Sequence, residues 1–248
     1  MTSRSAIVTG ASGGIGTAIA TALHEEGFAL TLVGRDAAKL AALAETLTGT
    51  GGAAVDWLAG SLADETFLDE ITARHTARHG ALDLLVNNAG VSGHRRVGEI
   101  TAEFLDAQFD VNIRAVILLT DKCLGLLRKA VALRGSAQVV NTASNAGKRG
   151  EATLASYSAT KAAVVGFTEA LHDELAAEGI KATAICPGLV DTPMADAYRS
   201  GGAAAQGMIT PRDVAETVRL TTRLSRACIV PEVVLLRPNE WVQPSEVR

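Results

Sequence analysis

The chain alternates between short apolar runs and longer amphipathic stretches, and this alternation constrains its fold more than any other feature. Seven runs have the length and composition of β-strands: Ser5–Thr9, Phe28–Val33, Ala53–Leu58, Leu82–Asn87, Ala137–Asn141, Ile180–Cys186 and Val233–Arg237. Most of them are apolar on both faces, as in a parallel sheet that helices cover on each side. The pattern predicts an α/β fold with a doubly wound parallel sheet, and such sheets bind ligands at the carboxyl ends of their strands.

Helical patterns fill the chain between these runs. Three of them end before a glycine that can cap a helix: Gly14–Glu26, Ala63–His79 and Ser156–Glu178. Two more helices are predicted at Ala102–Lys129 and Pro211–Ser225. With 248 residues, of which 48% are hydrophobic, the chain can bury one sizeable core, so we predict a single domain over residues 1–248. The stretch "SGGAAAQG" at Ser200–Gly207 is predicted to be a mobile loop, because too little chain follows it to fold alone.

Composition and charge exclude several classes of protein. The formal net charge of −4 comes with lysines and arginines spread along the chain, so nucleic acid is not an expected partner. The first residues do not have the pattern of a signal peptide, and no apolar run approaches the roughly 20 residues that cross a bilayer. Three well-separated cysteines, Cys123, Cys186 and Cys228, suit reduced thiols. We predict a cytoplasmic protein with no membrane partner and no metal site.

The first strand runs directly into "TGASGGIG", which places Gly10, Gly14 and Gly16 where a helix begins. Glycines at such a point let the backbone turn tightly and approach a pyrophosphate, whose charge the helix N-terminus stabilises. A merely flexible loop is the alternative. The strand–glycine–helix context favours a nucleotide-binding loop.

The spacing of these glycines resembles that of the short-chain dehydrogenase/reductase family, and five further motifs agree with it in order along the chain. They are "NNAG" at Asn87–Gly90, Asn112 in "FDVNIRA", Ser144 in "NTASNAG", Tyr157 with Lys161 in "YSATK", and "PGLVDTPM" from Pro187 to Met194. The resemblance implies a Rossmann-type fold of about seven strands. It also implies an NAD(P)-dependent oxidoreductase that acts on a carbonyl or a secondary alcohol.

The resemblance implies a role for each of four catalytic residues. Tyr157 would be the general acid/base that protonates the substrate oxygen, because hydride transfer to a carbonyl carbon leaves negative charge there. Lys161 lies four positions later on the same helix face, where it would favour the phenolate and reach the nicotinamide ribose. Ser144 would hold the substrate oxygen, and Asn112 would anchor a chain of water molecules. The alternatives are a turn residue for Ser144 and a backbone-bonded helix residue for Asn112.

The same resemblance implies cofactor contacts from five loops. Pro187 and Gly188 would form a tight turn beside the nicotinamide, while Thr192 and the backbone of Val190 would bind its carboxamide. Thr192 as a helix cap is the alternative. The complete set of cofactor contacts is Gly10, Ser12, Gly14, Ile15, Gly16, Arg35, Ser61, Leu62, Asn88, Ala89, Gly90, Tyr157, Lys161, Pro187, Gly188, Val190 and Thr192.

The end of the second strand, "TLVGRD", bears on the choice between NAD and NADP. Asp36 stands where an acid could accept from the ribose hydroxyls of NAD, and Arg35 could pair with the 2′-phosphate of NADP. In family members that prefer NAD the acid usually stands at the strand tip, which here is Gly34. We therefore predict NADP(H) over NAD(H), with Asp36 capping the next helix. Two departures from the family pattern temper this prediction: Gly13 stands where NADP-preferring members often have a basic residue, and Ser61 stands where an acid usually meets the adenine amino group.

Substrate recognition is the least specified part of the sequence. Residues 193–210 are short and rich in glycine and alanine, and we predict a small substrate lid there. Arg199 in this lid and His94, Arg95 and Arg96 after "NNAG" could meet an acidic substrate, although solvated surface charges are the plainer interpretation. The ending "PEVVLLRPNEW" lacks the glycines of ketoacyl-carrier-protein reductases and favours small polar hydroxy acids or assorted carbonyls.

A catalytically inactive nucleotide sensor or scaffold with the same fold is the alternative from another functional class. Such a protein would be expected to lack part of the Asn–Ser–Tyr–Lys set, which is complete here. The resemblance also implies that the long helices Ala102–Lys129 and Ser156–Glu178 pair with their copies. We therefore expect a homodimer or a homotetramer.

Overall fold

The computed structural model describes residues 3–196 and 207–238, which form one seven-stranded parallel sheet with helices on both faces. The strands are β1 Ser5–Thr9, β2 Ala29–Gly34, β3 Val55–Ala59, β4 Leu84–Asn87, β5 Ala137–Thr142, β6 Ile180–Pro187 and β7 Glu232–Leu235. Their spatial order is β3-β2-β1-β4-β5-β6-β7. The predicted doubly wound α/β fold is confirmed, and each strand lies within two residues of its predicted bounds.

The helices are α1 Gly14–Glu25, α2 Ala37–Gly49, α3 Glu65–His79, α4 Ala102–Phe109, α5 Ala115–Arg134, α6 Ala155–Leu175 and α7 Pro211–Arg223. The helix predicted over Ala102–Lys129 is divided, because the segment Asp110–Arg114 between α4 and α5 is a π-helical turn. A π-helical turn inside a longer helix often marks a functional site.

Capping residues define most of the helix ends. Asp36, Asp64, Thr101 and Thr210 each accept a backbone N–H in the first turn of α2, α3, α4 and α7. The sequence-based assignment of Asp36 as a helix cap is therefore confirmed. At the other ends, glycines such as Gly80 take left-handed conformations that few other residues adopt without strain.

The two faces of the sheet bury separate apolar cores. On one face, Ala6 and Val8 of β1 pack in a cluster with residues of α1, α2 and α7. On the other face, Ile7 packs in a cluster with residues of α3 and α5. Strand order reverses between β1 and β4, since β2 and β3 lie on one side of β1 and the later strands on the other. This switch point, at the carboxyl ends of β1 and β4, is where a parallel α/β sheet binds its ligand.

Part of the predicted lid lies outside the described residues. Of residues 193–210 the structure describes 193–196 and 207–210, and Arg199 is not among them. Ile209 pairs with Val190 in an isolated parallel bridge, so the chain re-enters the described region close to the end of β6. Within the described ranges no helix is long and apolar enough to span a membrane.

Candidate active site

The glycine loop after β1 is closely packed against the loop after β4. Gly10 has φ +67°, and a Cβ atom placed there would lie 2.9 Å from the Cα of Ala89. A Cβ on Gly16 would lie only 2.1 Å from the carbonyl oxygen of Gly10. Both positions therefore require glycine, one for its conformation and both for space.

The helix that follows this loop begins without a side-chain cap. Gly13 is the N-cap residue of α1, and no side chain of the described residues accepts the N–H groups of its first turn. The first N–H groups of a helix have no partner within the helix, and they favour an anion. Because Gly13 has no side chain to cap them, the first amides of α1 and the glycine cradle beside them fit the pyrophosphate of a dinucleotide.

Thr9, at the end of β1, positions the "NNAG" loop. Its hydroxyl accepts the backbone N–H groups of Asn88 and Ala89 at 3.0 and 3.1 Å, and its carbonyl oxygen accepts the Asn88 side-chain amide at 3.1 Å. Thr142 at the end of β5 donates its hydroxyl to Asn88 Oδ1 at 3.4 Å. The structure thus brings the predicted contacts Asn88 and Ala89 next to the glycine loop through two threonines that sequence reasoning missed.

Lys161 is buried beside Tyr157 on the face of α6 that packs on the sheet. Its Nζ atom donates a hydrogen bond to the carbonyl oxygen of Thr142 at 2.8 Å and lies 5.8 Å from the centroid of the Tyr157 ring. Burial lowers the pKa of Lys161 from 10.5 to about 8. A Cβ atom on Gly90 would lie 3.4 Å from this Nζ, so the "NNAG" loop ends directly over the lysine.

Asn112 lies in the π-helical turn and is fully buried. Its side-chain amide donates to the carbonyl oxygen of Val91 at 2.9 Å and to Thr160 Oγ1 at 3.1 Å, and its Oδ1 accepts the Val91 N–H at 2.8 Å. The two bonds to Val91 match the alternative interpretation of Asn112 as a helix residue whose side chain bonds to backbone. Together with the bond to Thr160, they tie the helix to the loop after β4 and to α6, one turn from Tyr157.

Ser144 follows β5 and begins a short 3-10 turn, Asn145–Gly147. Its hydroxyl accepts the Ala146 N–H at 3.2 Å, as a turn residue would, and it also lies 3.5 Å from the carbonyl oxygen of Pro187 at the end of β6. A Cβ atom on Gly147 would lie 2.6 Å from the backbone of Lys161. The serine loop and α6 are therefore in close contact.

The segment after β6 lies against the glycine loop. The Gly188 N–H donates to the carbonyl oxygen of Leu235 at 2.7 Å, which fixes the turn after Pro187. A Cβ atom on Gly14 would lie 2.9 Å from Thr192 Cγ2, so Thr192 sits over the start of α1. Thr192 occupies the N-cap position of the short 3-10 turn Pro193–Ala195, but its side chain makes no cap hydrogen bond there, and its hydroxyl lies 3.4 Å from the Val190 carbonyl oxygen.

At the tip of β2, Asp36 is engaged within its own helix. Its carboxylate accepts the Lys39 N–H at 3.0 Å, and this hydrogen bond holds the pKa of Asp36 below its usual value. Arg35 is exposed beside it. A Cβ atom on Gly34 would lie 2.7 Å from Ser12 Oγ, so the strand tip faces the glycine loop.

The remaining predicted contacts lie after β3. Ser61 is exposed, and its hydroxyl accepts the Ala63 N–H at 3.3 Å. Leu62 is buried in the cluster around α3. Both follow a strand that pairs with β2, so they lie on the same edge of the sheet as Arg35. Among the described residues no group of histidine, cysteine or carboxylate side chains could hold a metal ion.

Comparison with known proteins places this arrangement in a family. The model of the short chain dehydrogenase family matches residues 4–202. The chain belongs to the short-chain dehydrogenase family. It is therefore an oxidoreductase of the class that interconverts CH–OH and C=O groups.

Relatives in this family include several named reductases. A protein from Streptomyces virginiae, named as a ketoacyl reductase of the monensin polyketide synthase, is 41% identical over 207 residues, which are 82% of this chain and 77% of that protein. A variant of the actinorhodin polyketide ketoreductase, solved with NADPH, superposes with a TM-score of 0.86 at 31% identity over 96% of this chain and 98% of the other. The 3-ketoacyl-(acyl-carrier-protein) reductase from Brucella melitensis, solved with NADH, has a TM-score of 0.84 at 28% identity over 94% and 95% of the two chains.

Proposed function

We propose that this protein transfers a hydride between NADP(H) and a carbonyl or secondary alcohol carbon, with Tyr157 as the general acid/base. The observation that carries the proposal is the buried Lys161, whose Nζ lies 5.8 Å from the Tyr157 ring at the carboxyl ends of β4 and β5. Bound nicotinamide supplies or accepts the hydride. The residues of the chain move the proton and hold the substrate oxygen.

Lys161 makes proton transfer by Tyr157 favourable near neutral pH. With a pKa of about 8 the lysine is mostly cationic at pH 7. A cation this close to the Tyr157 ring favours the phenolate over the neutral phenol, because a nearby opposite charge stabilises the ionised form. Tyr157 can then release and recover its proton during turnover.

Ser144 and Asn112 complete the proposed machinery. Ser144 holds the substrate oxygen, because a hydroxyl can donate to a carbonyl and accept from an alcohol. The Asn112 side chain is fully engaged with Val91 and Thr160, so its backbone carbonyl, in the widened π-helical turn, is the group we assign to holding water. Protons would reach Lys161 along that water.

The preference for NADP is supported at the tip of β2. Because Asp36 is used as a helix cap, its carboxylate is not directed to the ribose hydroxyls, and the exposed Arg35 is free to meet a 2′-phosphate. The NADPH complex of the actinorhodin ketoreductase agrees with this choice, and the NADH complex of the Brucella enzyme shows that both cofactors occur in the family. Arg35→Ala should lower kcat/KM for NADPH and leave that for NADH almost unchanged. A preference for NADH that persists in Arg35→Ala would contradict the choice.

The substrate class is tested by a panel of carbonyls. The named relatives favour a 3-ketoacyl thioester, whereas the C-terminal sequence favours a small polar ketone, so the panel contains both kinds with simple aldehydes and alcohols. Oxidation of NADPH and NADH with the carbonyls, and reduction of NADP+ and NAD+ with the alcohols, is followed by absorbance in wild type and in Ser144→Ala. If wild type turns over no member of the panel with either cofactor, the result would favour the inactive sensor or scaffold. That alternative is weakened by Lys161, whose buried charge costs stability that a scaffold would not need to give up.

We also propose that the protein is cytoplasmic and that it forms a homodimer or a homotetramer through α4, α5 and α6. Phe109 and Ile117 are partly exposed apolar side chains on this helical face. Size-exclusion chromatography with light scattering tests the assembly. A monomer at micromolar concentration would contradict it.

A further inference from the structure

Thr153 adopts a backbone conformation that threonine rarely takes. Its φ is +67°, and it is the one non-glycine residue with positive φ in the described part of the chain. For a β-branched residue this conformation is strained, and it persists only where the surroundings enforce it. Thr153 lies four residues before Tyr157, just ahead of α6.

Two hydrogen bonds from the loop after β4 hold Thr153. His94 Nδ1 lies 2.8 Å from Thr153 Oγ1, and the Arg95 N–H donates to the Thr153 carbonyl oxygen at 2.8 Å. We call this pair of bonds the clasp. It uses both the side chain and the backbone of the strained residue.

The loop that makes the clasp is itself anchored. Val91 is bound through its N–H and its carbonyl by Asn112, and the Arg95 guanidinium lies 5.1 Å from the centre of the Phe104 ring. A Cβ atom on Gly93 would lie 2.8 Å from Phe104, so the loop rests directly on α4. The clasp therefore joins a fixed loop to the segment that leads into α6.

The start of α6 depends on such external support. The helix begins at Ala155 without a side-chain cap on its first turn, and that turn contains Tyr157. A helix end without a cap frays more easily. The segment is held instead by the clasp and by the Ser158 hydroxyl, which lies 3.3 Å from the Glu151 nitrogen.

We propose that His94 and Thr153 are positioning residues, and that the clasp fixes the substrate-side wall of the active site and the first turn of α6 so that the substrate carbonyl meets Tyr157 in one place. This inference rests on the proposed function. Because the carboxyl ends of β4 and β5 are adjacent, the loop after β4 and the segment before α6 lie at the same end of the sheet, where the clasp bonds them to each other. Neither residue exchanges a proton with the substrate.

The test compares His94→Ala, Thr153→Gly and the double variant with wild type, using steady-state kinetics on the best substrate of the panel. Each single variant should lower kcat/KM by about 10-fold, since small displacements of a reacting group lower rates strongly. The double variant should be no worse than either single one, because both remove the same bond. Thr153→Ser keeps the hydroxyl and should retain most of the activity, and Val97→Ala, on an exposed residue of the same loop, should be neutral.

Further measurements separate positioning from general stability and from the proposed function. Thr153→Gly should keep its melting temperature while kcat/KM falls, because the substitution also relieves the strain. Amide hydrogen exchange in the first turn of α6 should accelerate in both single variants, whether or not a substrate is known. Additive losses in the double variant, an unchanged kcat/KM or an unchanged rate of hydrogen exchange would overturn the positioning role of the clasp. Absence of any turnover in wild type, with accelerated exchange in the variants, would overturn only the proposed function.

Discussion

Replacing Lys161 with methionine should abolish catalysis and stabilise the fold. The side chain is 3% exposed, and burial lowers its pKa from 10.5 to about 8. That shift corresponds to about 3 kcal/mol of unfolding free energy that the protein loses by burying the cation. Methionine has a similar length and no charge, but the replacement forfeits the hydrogen bond to Thr142, at about 1–2 kcal/mol. We expect a net gain of about 1–2 kcal/mol at pH 7.

The pH dependence of the unfolding free energy tests whether the buried charge of Lys161 is the cause of this gain. The folded pKa lies below the unfolded value, so between about pH 8 and 10.5 the unfolded chain binds a proton that the folded protein has released. Wild-type stability therefore gains a favourable contribution as pH rises through this window, and Lys161→Met lacks it. The difference in stability between the variant and wild type should therefore change by about 3 kcal/mol between pH 8 and 10.5, so that wild type becomes the more stable protein by about 1–2 kcal/mol at the upper end.

Chemical denaturation at a series of pH values measures both effects. In thermal unfolding at pH 7, the melting temperature of Lys161→Met should exceed that of wild type by about 5 °C for a chain of this length. Lys129→Met is the matched control, because Lys129 is an exposed lysine of α5. A less stable Lys161→Met protein at pH 7, or a difference that does not change with pH, would refute the reasoning.

Three other substitutions test separate parts of the structure. His75 is fully buried between Ser5 and Thr31 with its pKa lowered to about 4 by burial, so wild type should lose about 3 kcal/mol of unfolding free energy as pH falls from 6.5 to 4. Urea denaturation of His75→Gln should not show this loss. An equal dependence of unfolding free energy on pH in the variant and in wild type would count against the prediction. Gly34→Asp should shift the ratio of kcat/KM values toward NADH by at least about 10-fold, since an acid at the strand tip binds ribose hydroxyls and repels a 2′-phosphate; an unchanged ratio would contradict this. Gly16→Ala should weaken NADPH binding by at least about 10-fold in fluorescence titration, because its Cβ would lie 2.1 Å from the Gly10 oxygen, and unaltered affinity would exclude the tight loop.

The sheet and most helices could be predicted because their signals are local. Apolar runs mark the strands, and glycines such as Gly80 and Gly179 end helices in left-handed conformations. The π-helical turn at Asp110–Arg114 could not be predicted, because a local widening leaves the apolar pattern of Ala102–Lys129 continuous.

Only part of the site was visible in the sequence. Tyr157 and Lys161 are four residues apart, and their proximity follows from helix geometry. Thr9 and Thr142 were missed, because their hydrogen bonds cross between strands that are distant in sequence and neighbours only in the sheet order β1-β4-β5. A threonine at the end of an otherwise apolar strand was the available signal. The strain at Thr153 has no sequence signal, since it depends on contacts with a loop some 60 residues away.

In the proposed mechanism, the Tyr157 hydroxyl exchanges the proton during hydride transfer. Tyr157→Phe removes that hydroxyl and keeps the ring, so kcat/KM with the best carbonyl and NADPH should fall by about 10²-fold or more, while the dissociation constant for NADPH changes little. Measuring both constants on the same preparations separates chemistry from cofactor binding. Near-normal turnover in Tyr157→Phe would contradict the mechanism.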